Sequence, residues 1–214
     1  MAAFCVVETE ESKRRLIEHM DPGNDELAAL LAVNLDRHYE ELVSLYWQQL
    51  SAFVLRRTRH FQDTEDIIQE TFMRAYLALE RYPTERIETL KVRPWLYKIA
   101  WSVYCNHTGR TKLPLIVPLD APDEGFYIEL EEDVREQPEV LYEQAEQRRE
   151  LEALIEHLPA HYRDMVSLYY FEELSQKEIA DVLNLPLGTV KVYIHRGIRL
   201  LRKLWQEQTN NKVG

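Results

Sequence analysis

The stretch LSQKEIADVLNLPLGTVKVYIHRGIRLLRKL, residues 174 to 204, constrains the fold more than any other part of the chain. Ser175 and Glu178 stand in the S-x-x-E spacing of a capping box, where each side chain satisfies an orphan backbone N–H at a helix start. The helix they open, SQKEIADVL, meets a short turn at NLPLG, and a second helix follows. From Leu187 to Trp205 that second helix carries five Lys or Arg and no acid. Two short helices on a tight turn, the second one basic, form the pattern of a helix-turn-helix.

Turning the final helix by about 100° per residue separates two faces. Val190, Ile194, Ile198, Leu201 and Trp205 cluster on one side and are expected to pack inward. The opposite side presents Val192, His195, Arg196, Arg199 and Lys203. A merely solvated helix mixes acids into such a face, and this one has none. Arg196 and Arg199 suit guanine edges or phosphates, because the guanidinium fork matches both geometries. Lys191, Arg202 and Lys203 suit phosphates, which position without specifying, and Val192 suits the methyl of thymine. The alternative is a basic helix docked on an acidic protein surface.

The charge of this helix stands out because the whole chain of 214 residues has a formal net charge of −11. That balance argues against tight nonspecific binding of DNA by the free chain. Residues 91 to 112 repeat the pattern of five Lys or Arg and no acid, whereas residues 113 to 147 hold eleven Asp or Glu against one Arg. Two basic helical segments are thus separated by an acidic stretch. With 45% apolar residues the chain can bury real cores, and 29% charged residues with six glycines favour helices. No apolar run approaches the roughly 20 residues that span a bilayer. The start, MAAFCVVETEESKRR, has only a short apolar patch before acids and is not expected to be a secretory signal. Cys5 and Cys105 fit no metal-ligand spacing, and cysteine usage points to the reducing cytoplasm.

The rest of the chain reads as all-α, two small helical domains joined by an acidic extended linker. Leu35, Tyr39, Leu42, Val43, Tyr46, Leu50, Phe53 and Val54 recur at helical spacing. Asp63 is the expected N-cap of the next helix, which buries Ile68, Phe72, Ala75 and Leu79. A loop is expected around RYPTERIETLKV, and Pro94 suits the first turn of a helix with Leu96, Ile99, Ala100 and Val103 on its core face. These helices make a domain over 27–112. Four prolines and the acidic excess mark 113–147 as a linker, or a merely solvated spacer. Leu151, Leu154, Ile155 and Leu158, then Tyr162, Met165, Val166, Tyr169 and Tyr170, lead into the helix-turn-helix of a second domain over 148–207. An unassigned extension, 1–26, and a tail, 208–214, complete the chain.

On the helix PWLYKIAWSVYCNH the face opposite Leu96, Ile99 and Val103 holds Lys98, Trp101 and Cys105. An exposed tryptophan beside lysine suits stacking on an unpaired base or wedging into a duplex. The alternative is that Trp101 packs against a neighbouring helix or a partner protein.

At this point DTEDIIQETFMRAY, RPWLYKIA and LPAHYRDMVSLYYFEELSQKEIADVLNLPLGTVKVYIHRGIRLLRKL, in that order and spacing, resemble the bacterial sigma-70 family. The resemblance is to its small two-domain, extracytoplasmic-function class, and it covers most of residues 27 to 207. It implies a non-catalytic subunit, cytoplasmic and without membrane insertion, that binds core RNA polymerase and directs it to promoter DNA. By their match to the family motif, Asp66, Gln69 and Glu70 would contact core polymerase; by themselves they read as a solvated polar face. The WLYKIA helix and the loop before it would recognise and open the minus-ten element, with Lys98, Trp101, Ser102 and Cys105 at the DNA. An AT-rich step costs less to unstack, and a captured flipped base offsets part of that cost. The helix-turn-helix would read the minus-thirty-five element through Lys191, Val192, Tyr193, His195, Arg196 and Arg199. The linker would run toward the polymerase active site, with residues 120 to 133 occupying a basic nucleic-acid channel. An anti-sigma partner is a further implication; no cofactor and no metal are expected.

The chain departs from the family pattern at four places, one of them the loop YPTERIETLKV, which is longer than usual and implies a different base-capture pocket. Trp101-Ser102 stand for a common Arg-Asn, Val192-Tyr193 for a frequent Ser-Arg, and Gly197-Ile198 for Ala-Arg. They imply a different minus-ten preference and a weaker or different minus-thirty-five grip. Two rival functions remain at the level of sequence. One is a dimeric helix-turn-helix regulator with a sensing N-terminal domain and a palindromic operator. The other is an interaction protein that binds polymerase without reading promoters. An enzyme is not expected, since seven scattered histidines form no metal spacing and no glycine-rich phosphate loop is present.

Overall fold

The computed structural model describes residues 24–109 and 150–213, all in helices and short turns with no strand among them. The extension before Asn24 and the acidic linker over 113–147 lie outside these residues, and with them the expectation for residues 120 to 133. The chain forms two compact units whose division does not follow chain order. Residues 174–190 belong with the N-terminal helices, and residues 150–173 belong with the remainder of the final helix.

In the first unit, α1 (Asn24–Val33) buries Leu27, Ala28 and Leu31. Asn34 then caps α2 (Leu35–Thr58) by accepting the Arg37 N–H at 3.0 Å. The expected stripe is realised: Leu42, Tyr46, Leu50, Phe53 and Val54 are buried. Arg59, at φ 54°, closes the helix by donating its N–H to the Leu55 carbonyl at 2.9 Å. The next helix, α3 (Phe61–Leu79), begins earlier than expected. Its cap is His60, whose Nδ1 accepts the Asp63 N–H at 3.3 Å, so Asp63 sits in the first turn instead of at the cap. The Thr64 hydroxyl, bonded to the His60 carbonyl at 2.8 Å, fixes this earlier start.

A short helix, α4 (Thr84–Glu88), occupies the segment expected as a loop, and it buries Ile87. Pro83 starts it, its carbonyl accepting the Arg86 and Ile87 N–H groups. Then α5 (Val92–His107) runs through the middle of the unit, with Pro94 in its first turn. Tyr97 of α5 meets Phe53 of α2 edge to face at 5.0 Å, both rings fully buried. Each such aromatic contributes on the order of 2–3 kcal/mol through area removed from water. The first helix of the helix-turn-helix, α8 (Gln176–Leu183), packs along α5 in this same unit.

The second unit is built from helical residues 150–156 (α6), α7 (Ala160–Tyr170) and most of α9 (Leu187–Val213). Leu154, Ile155, Leu158, Val166, Phe171 and Leu201 form its core, with Leu151, Tyr162, Tyr170, Leu204 and Trp205 packed around them. Pro159 ends one helix and starts the next, and Arg163 donates from Nη2 to the Leu158 carbonyl just past α6, 2.9 Å away. Gly197 lets α7 and α9 approach closely. A Cβ there would stand 2.5 Å from Val166 Cγ2.

Candidate nucleic-acid interface

The helix-turn-helix is assembled by local bonds that the sequence encodes. Ser175 Oγ accepts the Glu178 N–H at 3.3 Å, and Glu178 Oε2 accepts from the Ser175 N–H at 3.0 Å and hydroxyl at 2.8 Å. The other carboxylate oxygen, Oε1, takes the Lys91 ammonium at 2.9 Å. Burial pushes the Glu178 carboxyl up, but Lys91 and the Ser175 donors outweigh it and hold the group below its ordinary value. At the far end of α8, Asn184 adopts φ 55°, ψ 51°, the left-handed geometry that asparagine tolerates, and its N–H and that of Leu185 close on the Ala180 carbonyl. Pro186 then supplies the carbonyl that accepts the Val190 N–H, and α9 begins.

Along α9 the inward face is as expected for Val190, Ile194 and Leu201, which are buried, while Ile198 and Trp205 are half-buried. Lys191, His195, Arg199 and Lys203 form an exposed stripe at four-residue intervals. Val192, Arg196 and Arg202 are half-buried at its margins. Tyr193 corrects the expectation: it is buried, its ring edge-on to Tyr162 at 5.5 Å and 5.5 Å from His161. It therefore seats α9 on α7 and is not on the exposed face of the helix. The basic stripe ends where Lys203 approaches Glu207 Oε1 at 3.9 Å.

The α5 surface needs a similar correction. Lys98 and Ser102 are exposed, but Trp101 and Cys105 are buried, so neither presents itself for stacking on a base. The alternative of packing within the protein is the observed one. Trp101 lies 5.6 Å from Tyr104 and has the Arg57 guanidinium 5.8 Å from its ring centre, at the end of α2. Arg57 is in turn fixed over the Phe53 ring at 3.8 Å and donates to the Phe53 carbonyl at 2.8 Å. Polarity at four-residue spacing continues the exposed line to Asn106, which periodicity in apolar residues did not mark.

On α3, Asp66 and Gln69 are exposed, and Glu70 is half-buried, bonded to Arg74 Nε at 2.6 Å. Met73 and Leu77 share this outer face, exposed by 52% and 41%, and Trp47 of α2 stacks on Phe72 beside it. These apolar side chains were hidden from sequence reasoning because their spacing fits a core stripe as well as a surface one. Among the described residues no three His, Cys, Asp or Glu are grouped to hold a metal ion, and no helix is long and apolar enough to cross a membrane.

The comparisons with known proteins fall on the same two regions. Residues 42–112 match the family profile of sigma-70 region 2, and residues 148–201 match that of sigma-70 region 4. The ECF RNA polymerase sigma factor SigW of Bacillus subtilis is 33% identical over 172 residues, spanning 77% of this chain and 87% of SigW. Among solved structures, CnrH in complex with the cytosolic domain of CnrY has a TM-score of 0.56 at 20% identity, over 86% of this chain and 98% of that one. The sigma factor RpoE of Bartonella quintana, in complex with the anti-sigma factor NepR, has a TM-score of 0.52 at 16% identity, over 78% and 96%. At those identities the structures speak for the fold, and SigW with the two profiles speaks for the family. The chain belongs to the extracytoplasmic-function class of the sigma-70 family of RNA polymerase sigma factors.

Proposed function

We propose that this sigma factor binds core RNA polymerase through the outer face of α3, centred on Asp66, Gln69 and Glu70, and brings two DNA-reading helices to a promoter. Lys98 and Ser102 of α5 serve the minus-ten element, with the loop before them, and promoter opening occurs there. Lys191, His195, Arg196 and Arg199 of α9 serve the minus-thirty-five element as duplex. Trp101, Cys105 and Tyr193 act from behind these surfaces, holding the helices in place. The subunit contributes no catalysis of its own and works in the cytoplasm, where a protein partner of the anti-sigma kind controls it. The boundaries 27–112 and 148–207 describe the two parts by their task.

The observation that carries this reading is the acid-free stripe Lys191–His195–Arg199 on a helix that follows a capped helix and a left-handed asparagine turn. A surface of that kind supplies phosphate contacts and base-edge donors on one side of a helix. The chain's net charge of −11 then keeps the free subunit off DNA until polymerase holds it there. The test is transcription in vitro with purified core polymerase on a genomic library, with start sites mapped. New starts preceded by two shared elements are expected. A core enzyme that neither associates with the chain nor starts RNA at new places in its presence refutes the reading.

A further inference from the structure

Twelve residues, 80–91, join α3 to α5 and precede Lys98 and Ser102, the α5 residues that serve the minus-ten element. A connection of that length is functional or disordered as a rule, unless something packs on it. Its one helix, α4, has five residues, far too few to be stable in isolation. The helix on which α4 packs is α1, which also lies against α2 and α5. Leu27, Ala28 and Leu31 are the buried residues of α1. Ile87, 5% exposed, is the one apolar side chain of α4 and its one buried residue, so it anchors this packing. Local bonds tie the rest of the loop to the anchor. The Arg86 and Ile87 N–H groups donate to the Pro83 carbonyl at 2.9 and 3.2 Å, and the Leu90 N–H donates to the Ile87 carbonyl at 3.0 Å. Next to Ile87, the exposed Arg86 places its guanidinium 3.7 Å from the centre of the Tyr82 ring. Tyr82 in turn lies 6.2 Å from Trp95, both half-buried, and Trp95 stands one turn before Lys98. A planar cation on aromatic rings is a surface on which an unpaired base can stack.

We propose that α1 is a positioning helix for promoter opening: through Ile87 it seats α4, and so holds the stack of Arg86, Tyr82 and Trp95 beside Lys98. The inference rests on the function proposed above and adds to it Leu27, Leu31 and Ile87, which act without touching DNA. The region 2 profile begins at residue 42, so α1 lies outside it. The length of the loop gives the seat its purpose. A longer connection has more conformations to lose when it takes hold of a base, and an anchor that orders it beforehand removes that cost from the opening step. Lys98 and Ser102 keep their places on α5 whether or not the loop is seated, so the effect of α1 is confined to opening and leaves the hold on duplex DNA intact.

The test uses the full chain with core polymerase at saturation, on a promoter mapped with the parent chain. The promoter is supplied as intact duplex and with its minus-ten element already unpaired by mismatches. Ile87→Ala should lower initiation from the duplex about tenfold, the size of one lost stacking contact to a base, and restore it to within about twofold on the pre-opened template. Ile87→Val should show the same pattern at about threefold, so the outcome does not depend on the alanine variant folding fully. In the free chain, the exposed Arg86 and Arg74 are both sites for trypsin, and only the first is in the loop. Leu31→Ala should raise the ratio of cleavage after Arg86 to cleavage after Arg74 about tenfold. Equal losses on the two templates, no loss on either, or an unchanged cleavage ratio overturns the proposal. A parent chain that neither co-elutes with core polymerase nor initiates refutes the sigma-factor reading, and the seating of α4 by α1 is then judged by the cleavage ratio alone.

Discussion

Gly197→Ala is a sharp test of how the recognition helix is seated. An alanine Cβ at this position would stand 2.5 Å from Val166 Cγ2 and 3.5 Å from Tyr162 Cβ. Ordinary carbon contacts lie at about 3.5–4.0 Å, so the overlap with Val166 is on the order of 1 Å. Val166 is fully buried within α7, and a valine in a helix has one strongly favoured rotamer. Relief therefore requires the two helices to shift, at a cost of about 1–3 kcal/mol. Against this, replacing glycine by alanine in a helix interior gains about 1 kcal/mol. The overlap wins, and the net loss is about 1 kcal/mol, or roughly 2–4 °C in Tm for a chain of this size. Removing the obstacle reverses the sign. In a Val166→Ala background, itself costing about 2 kcal/mol, Gly197→Ala should stabilise by about 1 kcal/mol. Urea unfolding of the four proteins of this cycle, followed by circular dichroism, gives a coupling of about 2 kcal/mol. Equal effects of Gly197→Ala in both backgrounds would refute the reasoning. The alanine that the family often carries here does not fit beside this valine.

Four other outcomes follow from the same geometry. Arg196→Gln with Arg199→Gln should reduce initiation at promoters that depend on the minus-thirty-five element at least tenfold, since each base-reading contact is worth about 1–3 kcal/mol, while association with core polymerase is unchanged. Asp66→Ala with Gln69→Ala, both exposed, should weaken co-elution with core polymerase at least tenfold and leave unfolding within about 0.5 kcal/mol of the parent. Trp101→Ala should destabilise the chain by about 3–5 kcal/mol and Trp101→Phe far less, because the ring is core; a purely DNA-stacking role predicts no such loss. Glu178 has a folded-state pKa below its ordinary 4.5, so its stabilising contribution is complete above that value and disappears as pH falls through the lower folded value. Acid titration of stability should therefore be flatter in Glu178→Gln over this window, and an unchanged profile counts against the paired carboxylate.

Much of the scaffold was legible because its stops and caps are chemical. The capping box at Ser175 and Glu178, the proline at 159 and the apolar spacing of Leu42 to Val54 each specify one local structure. The N-cap of α3 was misplaced because aspartate is the better intrinsic cap, whereas here a threonine hydroxyl and a histidine ring three residues earlier complete the turn. The helix α4 was missed because five residues are too few for periodicity to register. The placement of α8 beside α5 had no sequence signal at all, since Lys91 and Glu178 are 87 residues apart.

Of the three corrected site residues, Trp101 and Cys105 share one cause. Rotating a helix about its axis identifies a core face and assigns the opposite face to solvent, which holds for a helix with neighbours on one side. In the first unit α5 has α2, α3 and α8 as neighbours, so Tyr97, Trp101, Tyr104 and Cys105 are buried together with Leu96, Ala100 and Val103. Tyr193 was expected at the DNA only through the family resemblance, not by rotation, and it packs inward against Tyr162 and His161. What survives in both helices is a line of polar residues at intervals of four: Lys98, Ser102 and Asn106 on one, Lys191, His195, Arg199 and Lys203 on the other. Such a line drifts only about 40° per step around the helix, and burying several charged or amide groups together without partners is costly, so it marks solvent regardless of how many neighbours the helix has. For a central helix, the solvent face is therefore better found from the continuous polar line than from the reverse of the apolar one.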